Sequence, residues 1–424
     1  MAGFRGLFAD TAPLANPHFR RLWRANIVTV IGAQLTVVAV PAQIYETTGD
    51  SGYVGLTGLF GLVPLVVFGL WGGALADHFD RRRLLLVSTF GLIGTSALFL
   101  LQAALDLRNV WFLLVIFAIQ QAFFGVNQPA RSAILPRLLP AAQRPAASAL
   151  TMTVSMAGAV AGPMVGGILI PLGYSWLYLI DTLTLLATLS AVWRLPSARI
   201  ENRVGSPGVR SVVDGFVYLK GHPVLLTSFL VDLIAMTFGM PRALFPEIAH
   251  VAFGGPIAGG NELALVFAGI PIGAVLGGVF SGWVSRVSRQ GRAVVWCIVL
   301  WGLAMAGFGL AVALAPQWRA PMLVVAIAML VGGGAADMAS SAFRNAMLLS
   351  AADDAVRGRL QGVFIVVVVG GPRIADTLHG YAAGVVGTAW ASGGGGLLVI
   401  ILTAAVAVLV PAFWRYRPEA PAES

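Results

Sequence analysis

One segment of the chain reads Gly72-Gly73-Ala74-Leu75-Ala76-Asp77-His78-Phe79-Asp80-Arg81-Arg82-Arg83. It covers the end of the apolar run 53–76 and the loop that leads to the run 84–105. A run of about 20 apolar residues is long enough to cross a bilayer as a helix. An arginine-rich loop between two such runs is typical of the cytoplasmic side of a membrane. The stretch therefore predicts two membrane helices joined by a cytoplasmic turn.

The composition of the whole chain extends this prediction. Of the 424 residues, 58% are hydrophobic and 11% are charged, whereas about a quarter of the residues in a soluble chain are charged. Apolar runs recur in two sets of six, at 22–45, 53–76, 84–105, 110–135, 146–170 and 174–195, and at 223–249, 262–284, 293–314, 320–347, 358–384 and 395–414. We therefore predict an all-α polytopic membrane protein with 12 transmembrane helices.

Several function classes are excluded by the residues between and within these runs. The formal charge of +9 comes from short basic clusters rather than one solvated face, so nucleic acid is not an expected partner. A single cysteine, Cys297, rules out a disulfide framework and a cysteine-based zinc cluster. The glycine runs 332–334 and 393–396 lie in apolar context, and no Walker motif is present. We expect no enzyme, no cofactor and no ATP, which leaves an ion gradient as the energy source.

The two sets of runs resemble each other at a nearly fixed offset. Gly72-Gly73 returns as Gly277-Gly278, and Gly162-Pro163 returns as Gly371-Pro372, at offsets of 205 and 209. The predicted organisation is a six-helix bundle at 1–195, a cytoplasmic linker at 196–222 and a second six-helix bundle at 223–424. Parallel duplication of this kind is the architecture of transporters that bind substrate between two halves.

The basic residues predict the orientation. If both termini are cytoplasmic, that side carries 23 of the 27 basic residues, with Arg344 counted among them, and the opposite side carries only Arg108 and Arg319. Arg242 and Arg373 remain within spans. No cleavable signal peptide is evident in the first 18 residues, so the first span is expected to target the chain to the membrane.

The quoted stretch resembles the loop signature of the major facilitator superfamily, Gly-x-Leu-x-Asp-Arg-x-Gly-Arg-Arg. The matching residues are Gly73, Leu75, Asp77, Arg81 and Arg82. His78 and Asp80 depart from the signature. The resemblance implies a gate in which Asp77 pairs with arginines on the inner face and separates when the halves rock. Alternatively, the arginines only set the topology. The second half has Gly282 where Asp77 stands in the first, which predicts a weaker gate.

A second motif lies in the fifth span. Its residues are Gly158, Gly162, Pro163, Gly166 and Gly167. Glycines four residues apart form a stripe that lets two helices approach closely, and proline bends the helix. The pattern resembles the fifth-helix motif of antiporters in the superfamily, which implies export. Without that resemblance, helix packing alone explains the stripe.

A finer resemblance is to the enterobactin exporter branch, which exports siderophores across the bacterial inner membrane. It rests on Ala39-Val40-Pro41-Ala42-Gln43-Ile44 at the end of span one and on Tyr53-Val54-Gly55-Leu56 at the start of span two. It implies a siderophore or a drug-like compound as substrate.

Spans one, four, seven and ten line the central cavity in this superfamily, so polar residues there are the first candidates. The candidates for coupling and for the substrate cavity are Asp232, Asp337, Asp376, Arg373, Gln34, Gln121 and Asn127. Span one has no acid before Glu46, and we therefore expect Asp232 on span seven to carry the proton, with Asp337 and Asp376 behind it.

Other ionisable residues leave alternatives open. In span eleven, Arg373, Asp376 and His379 follow at three-residue steps on one face, as either a local ion pair or a proton relay. The pair Arg242 and Glu247 is interpreted as water-exposed. Asp181, in the outer third of span six, is interpreted as reaching the interface.

Together these features predict a secondary active transporter of the bacterial inner membrane that exports a small amphipathic molecule by proton-coupled antiport. The expected partners are a small-molecule substrate, protons and membrane lipid, and we expect a monomer. Two alternatives remain, namely a facilitative or uptake transporter of another small molecule, and a non-transporting membrane scaffold for a biosynthetic enzyme.

Overall fold

The computed structural model describes residues 10–196, 214, 217–351 and 365–417. Within these ranges, side chains are described for all residues except 73, 74, 76–78, 133, 136, 137, 285, 349–351, 365 and 366. Most of the predicted linker 196–222 therefore lies outside the described residues. In the part that is described, regular structure is entirely helical.

The first half holds six long helices. They are α1 Pro17–Thr48, α2 Ser51–His78, α3 Arg81–Ala104, α4 Val110–Leu138, α5 Arg144–Leu169 and α6 Tyr174–Trp193. The first four of them begin at side-chain caps, and those of α3 and α4 are typical. Asp80 accepts a hydrogen bond from the N–H of Arg82 at 2.8 Å, and Asn109 accepts one from the N–H of Phe112 at 3.1 Å. Such caps satisfy donors that the first helical turn leaves free.

The second half holds six more. They are α7 Pro223–Phe238, α8 Asn261–Val279, α9 Gln290–Leu314, α10 Arg319–Ala351, α11 Gly370–Val386 and α12 Thr388–Leu409. After α7, the span predicted at 223–249 continues through the short turns Arg242–Leu244, Phe245–Glu247 and Ile248–Ala252. The helix ends at Phe238 because Pro241 lacks the N–H that another turn would need.

The predicted all-α polytopic fold is confirmed. Eleven helices of the described part are long and apolar enough to cross a membrane. The remaining predicted span, 358–384, lies partly outside the described residues, and its described portion is α11 with the π-helical turn Ile365–Val369 before it. The cytoplasmic placement of the termini stays a prediction.

The chain forms two compact units, Met1–Val40 with Val63–Gly208, and Pro41–Leu62 with Val209–Ser424. The tip of the α1–α2 hairpin thus belongs to the second unit. The chain passes from one unit to the other beside Pro41 in α1 and close to Pro64 in α2. Proline removes a helical hydrogen bond, so both crossings lie where the helix is locally weakened.

The first unit has an apolar core where α1, α3, α4, α5 and α6 meet. Its buried members are Phe19, Leu85, Ala130, Ile134, Leu138, Leu139, Ala147, Leu150, Val192 and Leu195. Further along α3 and α6, the ring of Phe99 stacks on that of Tyr178 with centroids 5.1 Å apart. These contacts fix α6 against α3.

In the second unit, the hairpin tip packs on α11 through glycines. A Cβ at Gly380 would lie 2.7 Å from the Cα of Gly55, and one at Gly58 would meet the carbonyl oxygen of Arg373. The hydroxyl of Thr377 donates to the carbonyl of Gly55 at 3.1 Å. Small residues permit this approach of two helix backbones.

Candidate functional site

A buried ion pair joins α7 and α10 in the second unit. Arg344 Nη1 lies 2.6 Å from Asp232 Oδ2, and the two side chains are 12% and 3% exposed. A single charge at the centre of a membrane helix costs at least about 2.5 kcal/mol. Each residue of the pair therefore supplies the partner that the other requires.

Asp337 makes this pair a group of three charges. It lies on α10 seven residues before Arg344, on the same helix face, and it interacts electrostatically with both Arg344 and Asp232. One guanidinium thus interacts with two carboxylates, and of these two Asp232 is the one that forms an ion pair with it. When both acids are ionised, the group carries one excess negative charge.

The three charged residues line one pocket of the second unit. Apolar walls come from Phe229 and Met236, and further polar groups come from Ser228, Ser341 and Asn345. The cavity volume is about 90 Å³, whereas sites for drug-sized ligands begin at about 300 Å³. The pocket can hold one polar group of a substrate rather than a whole siderophore.

A second charged cluster lies on α11. Asp376 accepts a hydrogen bond from the N–H of Ala243 and interacts with Arg242 and Arg373. Arg373 Nη1 is 4.0 Å from Asp376 Oδ2, which is the pairing that their spacing predicts. Two guanidinium groups face one carboxylate here, so this cluster has an excess of positive charge.

The interpretation of Arg242 and Glu247 as a water-exposed pair is corrected by these contacts. Arg242 faces Asp376, as described, and Glu247 accepts a hydrogen bond from the hydroxyl of Ser51 at 2.5 Å. The turns after α7 fold these residues back onto the second unit, which the apolar pattern of a continuous span does not indicate.

His379 ties α11 to the end of α7. Its Nδ1 lies 3.0 Å from the carbonyl oxygen of Ala375, and its Nε2 lies 3.1 Å from that of Phe238. A Cβ at Gly395 of α12 would lie 2.9 Å from Nε2, so the imidazole is enclosed on three sides. This placement fits a structural contact, and the proton relay stays a prediction.

The interpretation of Asp181 as interfacial is wrong. Its side chain is 2% exposed and accepts hydrogen bonds at Oδ2 from Thr36 of α1 at 3.0 Å and from Ser96 of α3 at 2.9 Å. The position of Asp181 along the sequence indicates its depth in the span but not the direction in which its side chain points. The face of α6 that carries Asp181 packs against α1 and α3.

Of the three polar candidates in the first unit, two lie in contacts between helices and one is buried. Gln34 is half-buried against Gly162 of α5, and Gln121 is buried. Asn127 donates hydrogen bonds to Ser88 at 2.9 Å and to Thr89 at 3.4 Å. In this conformation Gln34 and Asn127 therefore hold helices of the bundle together.

The glycine motif of α5 packs against α1, with all five of its residues buried. A Cβ at Gly158 would meet Val30 at 2.2 Å, and one at Gly162 would meet Gln34 at 2.2 Å. At Gly166 the nearest atom is 3.6 Å away, which is an ordinary contact. The close approach of the two helices is thus limited to the first two glycines.

The loop signature is described in part. Arg82 Nη2 donates to the carbonyl of Trp193 at 2.5 Å, at the C-terminal end of α6, where a cation interacts favourably with the helix dipole. Leu75 is half-buried, as is Arg81. Gly73 and Asp77 are among the residues whose side-chain contacts are not described, so the gate stays a prediction.

Sequence reasoning missed the partner of Asp232. Arg344 counts among the cytoplasmic basic residues in the orientation prediction although it falls within the predicted span 320–347, and the structure places it in α10, nearly buried. A signal existed, because an acid inside a span requires a cation, a cavity or a function. The apolar pattern does not reveal which of the several arginines on other helices meets it.

Comparison with known proteins agrees with this architecture. The family model described as transmembrane secretion effector matches residues 8–417. The chain is 27% identical over 371 residues to a protein named enterobactin exporter EntS from Shigella boydii serotype 18, covering 86% of this chain and 85% of that protein. It is 26% identical, over the same shares, to the protein of that name from Escherichia coli O157:H7.

Solved structures share the fold at low sequence identity. The nucleoside transporter NupG has a TM-score of 0.72 at 12% identity, covering 94% of this chain and 100% of that one. A D-xylose-proton symporter has a TM-score of 0.69 at 14% identity, covering 95% and 98%. The chain therefore belongs to the transmembrane secretion effector family of the major facilitator superfamily, and it is a secondary transporter, not an enzyme, that crosses the bacterial inner membrane many times.

Proposed function

We propose that the chain is a proton-driven exporter that exchanges protons for a small amphipathic molecule at the α7–α10 pocket. The observation that carries this proposal is the charge count of Asp232, Asp337 and Arg344. One excess negative charge in a largely apolar pocket is unfavourable, and one bound proton neutralises it. The α11 cluster has the opposite excess, so a proton gives it no such gain.

Antiport results if substrate and proton compete for the same carboxylate oxygens. A substrate that presents hydroxyl donors or a cation binds best to an ionised acid, and protonation weakens that acceptor. By thermodynamic linkage, substrate binding then favours release of the proton, and proton binding favours release of substrate. A proton gradient directed inward would thereby drive export.

The proposed substrate class is a siderophore or another drug-like compound with hydroxyl or cationic groups. Similarity to proteins named enterobactin exporters supports the siderophore. A cavity of about 90 Å³ would receive one donor group of such a molecule. The close contacts of Gly158 and Gly162 with α1 are consistent with the antiporter motif.

The proposal is tested with purified protein in liposomes whose interior is more acidic than the medium. Enterobactin is the first probe, and tetraphenylphosphonium is the drug-like probe. We expect one of them to accumulate as protons leave, and we expect nigericin to abolish the accumulation. A flux that is the same with and without the pH gradient would indicate facilitated diffusion. If the flux of both probes equals that into empty liposomes, the protein is a scaffold.

A further inference from the structure

The first unit buries a carboxyl group whose contacts are hydroxyl groups. Asp181 is 2% exposed, and its Oδ2 accepts from Thr36 at 3.0 Å and from Ser96 at 2.9 Å. Among the described residues, no arginine, lysine or histidine forms an ion pair with it. An ionised acid in such a place costs several kcal/mol unless a cation compensates. The neutral form has no such cost.

The hydroxyl groups around Asp181 can serve both protonation states. A hydroxyl donates to a carboxylate, and it can equally accept from a protonated carboxyl group. Ser96 Oγ also lies 3.4 Å from the carbonyl oxygen of Tyr178. When Asp181 holds a proton and donates it to Ser96, the Ser96 hydroxyl can turn to that carbonyl. It then still accepts from Thr182 at 3.0 Å, so every group keeps a partner.

The site lies against α1 with little space around it. A Cβ at Gly32 would be 3.0 Å from Asp181 Oδ1 and 2.2 Å from Thr184 Oγ1. The oxygens of Thr36 and Ser96 are already at hydrogen-bond distance from the carboxylate. A metal ion inserted between them would have to push them apart, whereas a proton needs no additional space.

We infer that Asp181, on α6 where it packs against α1, is a second proton-binding site of this transporter. The site binds a proton and not Na⁺. Helix α1 has no acid of its own before Glu46, and α6 supplies one to it. Among the described residues, one titratable side chain interacts electrostatically with Asp181, and it is that of Tyr178. The inference deepens the proposed function, because it gives the first unit a site for the driving ion. Its evidence is independent of the α7–α10 pocket.

The test is infrared difference spectroscopy on the purified full-length protein between acidic and alkaline pH. Neither substrate nor a gradient is present, so the result stands even if export is not proton-driven. We expect a C=O band of a protonated carboxyl group that is lost in Asp181→Asn and retained in Asp232→Asn. The Asn variant keeps the shape of the side chain and an acceptor for Thr36, and size-exclusion chromatography verifies that it is folded.

A second variant distinguishes loss of the carboxyl group from loss of the band through misfolding. Ser96→Ala removes one hydrogen bond to the carboxyl group, and we expect the band to persist at a higher frequency. Replacing choline by Na⁺ in the buffer should leave the band unchanged. The inference is overturned if Asp181→Asn retains the band, if Ser96→Ala does not move it, or if Na⁺ removes it.

Discussion

The two units bury an acid in opposite ways. In the second unit, Asp232 is matched by Arg344 at 2.6 Å, and Asp337 adds a further negative charge. In the first unit, Asp181 is held by the hydroxyl groups of Thr36 and Ser96. Protonation therefore has different consequences at the two sites. At the Asp232–Asp337–Arg344 group it removes one excess negative charge and leaves Arg344 balanced by the other carboxylate, whereas at Asp181 it removes a negative charge that no cation balances.

The largest effect on thermal stability is expected from removing the guanidinium group that pairs with Asp232. Arg344→Gln leaves Asp232 and Asp337 without a compensating charge, and breaking a buried pair in this way costs about 3–5 kcal/mol. We expect a large fall in the unfolding temperature of the detergent-solubilised protein. Combining it with Asp232→Asn should restore part of the loss.

The matched control for that variant is Arg108→Gln. Arg108 pairs with Asp106 at 3.3 Å, but the two side chains are 71% and 78% exposed, and exposed pairs contribute at most about 1 kcal/mol. If the two arginine variants had the same unfolding temperature, the α7–α10 pair would be no more important than a surface pair.

The next effect concerns the close contact at Asp181. Gly32→Ala would force a methyl group against Thr184 and Asp181, and overpacking typically costs about 1–3 kcal/mol. Gly94→Ala on α3 is the control, since a Cβ there meets no atom within 4 Å. We expect lower thermal stability for Gly32→Ala only. Equal stability would mean that α1 does not close the Asp181 site.

The smallest effect is expected from a single hydroxyl group. Thr36→Val keeps the shape of the side chain but removes one donor to Asp181, at a cost of about 1 kcal/mol. Thr153→Val serves as the control, because Thr153 is exposed and bonds only within its own helix, to the carbonyl of Ala149. In chemical denaturation we expect a lower free energy of unfolding for Thr36→Val than for Thr153→Val. Equal destabilisation of the two variants would mean that the hydrogen bond from Thr36 to Asp181 does not stabilise the fold.

Much of the fold could be predicted from the sequence, because a bilayer imposes long apolar runs that end at charged or glycine-rich loops. The glycine stripe of α5 was also readable, since its four-residue spacing defines a helix face before any partner is known. The spacing does not reveal which glycines of the stripe need to be glycine. In the structure, Gly158 and Gly162 lie too close to α1 for a side chain, whereas Gly166 does not.

The candidate site was less accessible to sequence reasoning. Asp232 could be identified as an acid within a span, but its partner Arg344 lies on another helix, and helix pairing depends on tertiary packing. Asp181 was misplaced for a related reason. Hydropathy reports depth along a helix, whereas burial depends on which face meets its neighbours.

Gradient-driven transport by Asp232→Asn in proteoliposomes tests directly whether the α7–α10 pocket couples protons to export. Enterobactin uptake is followed with and without an imposed pH gradient, alongside the parent, Asp376→Asn and the exposed-acid control Asp106→Asn. Asparagine keeps the size of the side chain and removes its titration. We expect Asp232→Asn to lose accumulation against a gradient yet retain passive exchange, while Asp376→Asn and Asp106→Asn resemble the parent. If Asp232→Asn accumulates enterobactin like the parent and Asp376→Asn does not, coupling belongs to the α11 cluster, and its assignment to the α7–α10 pocket is wrong.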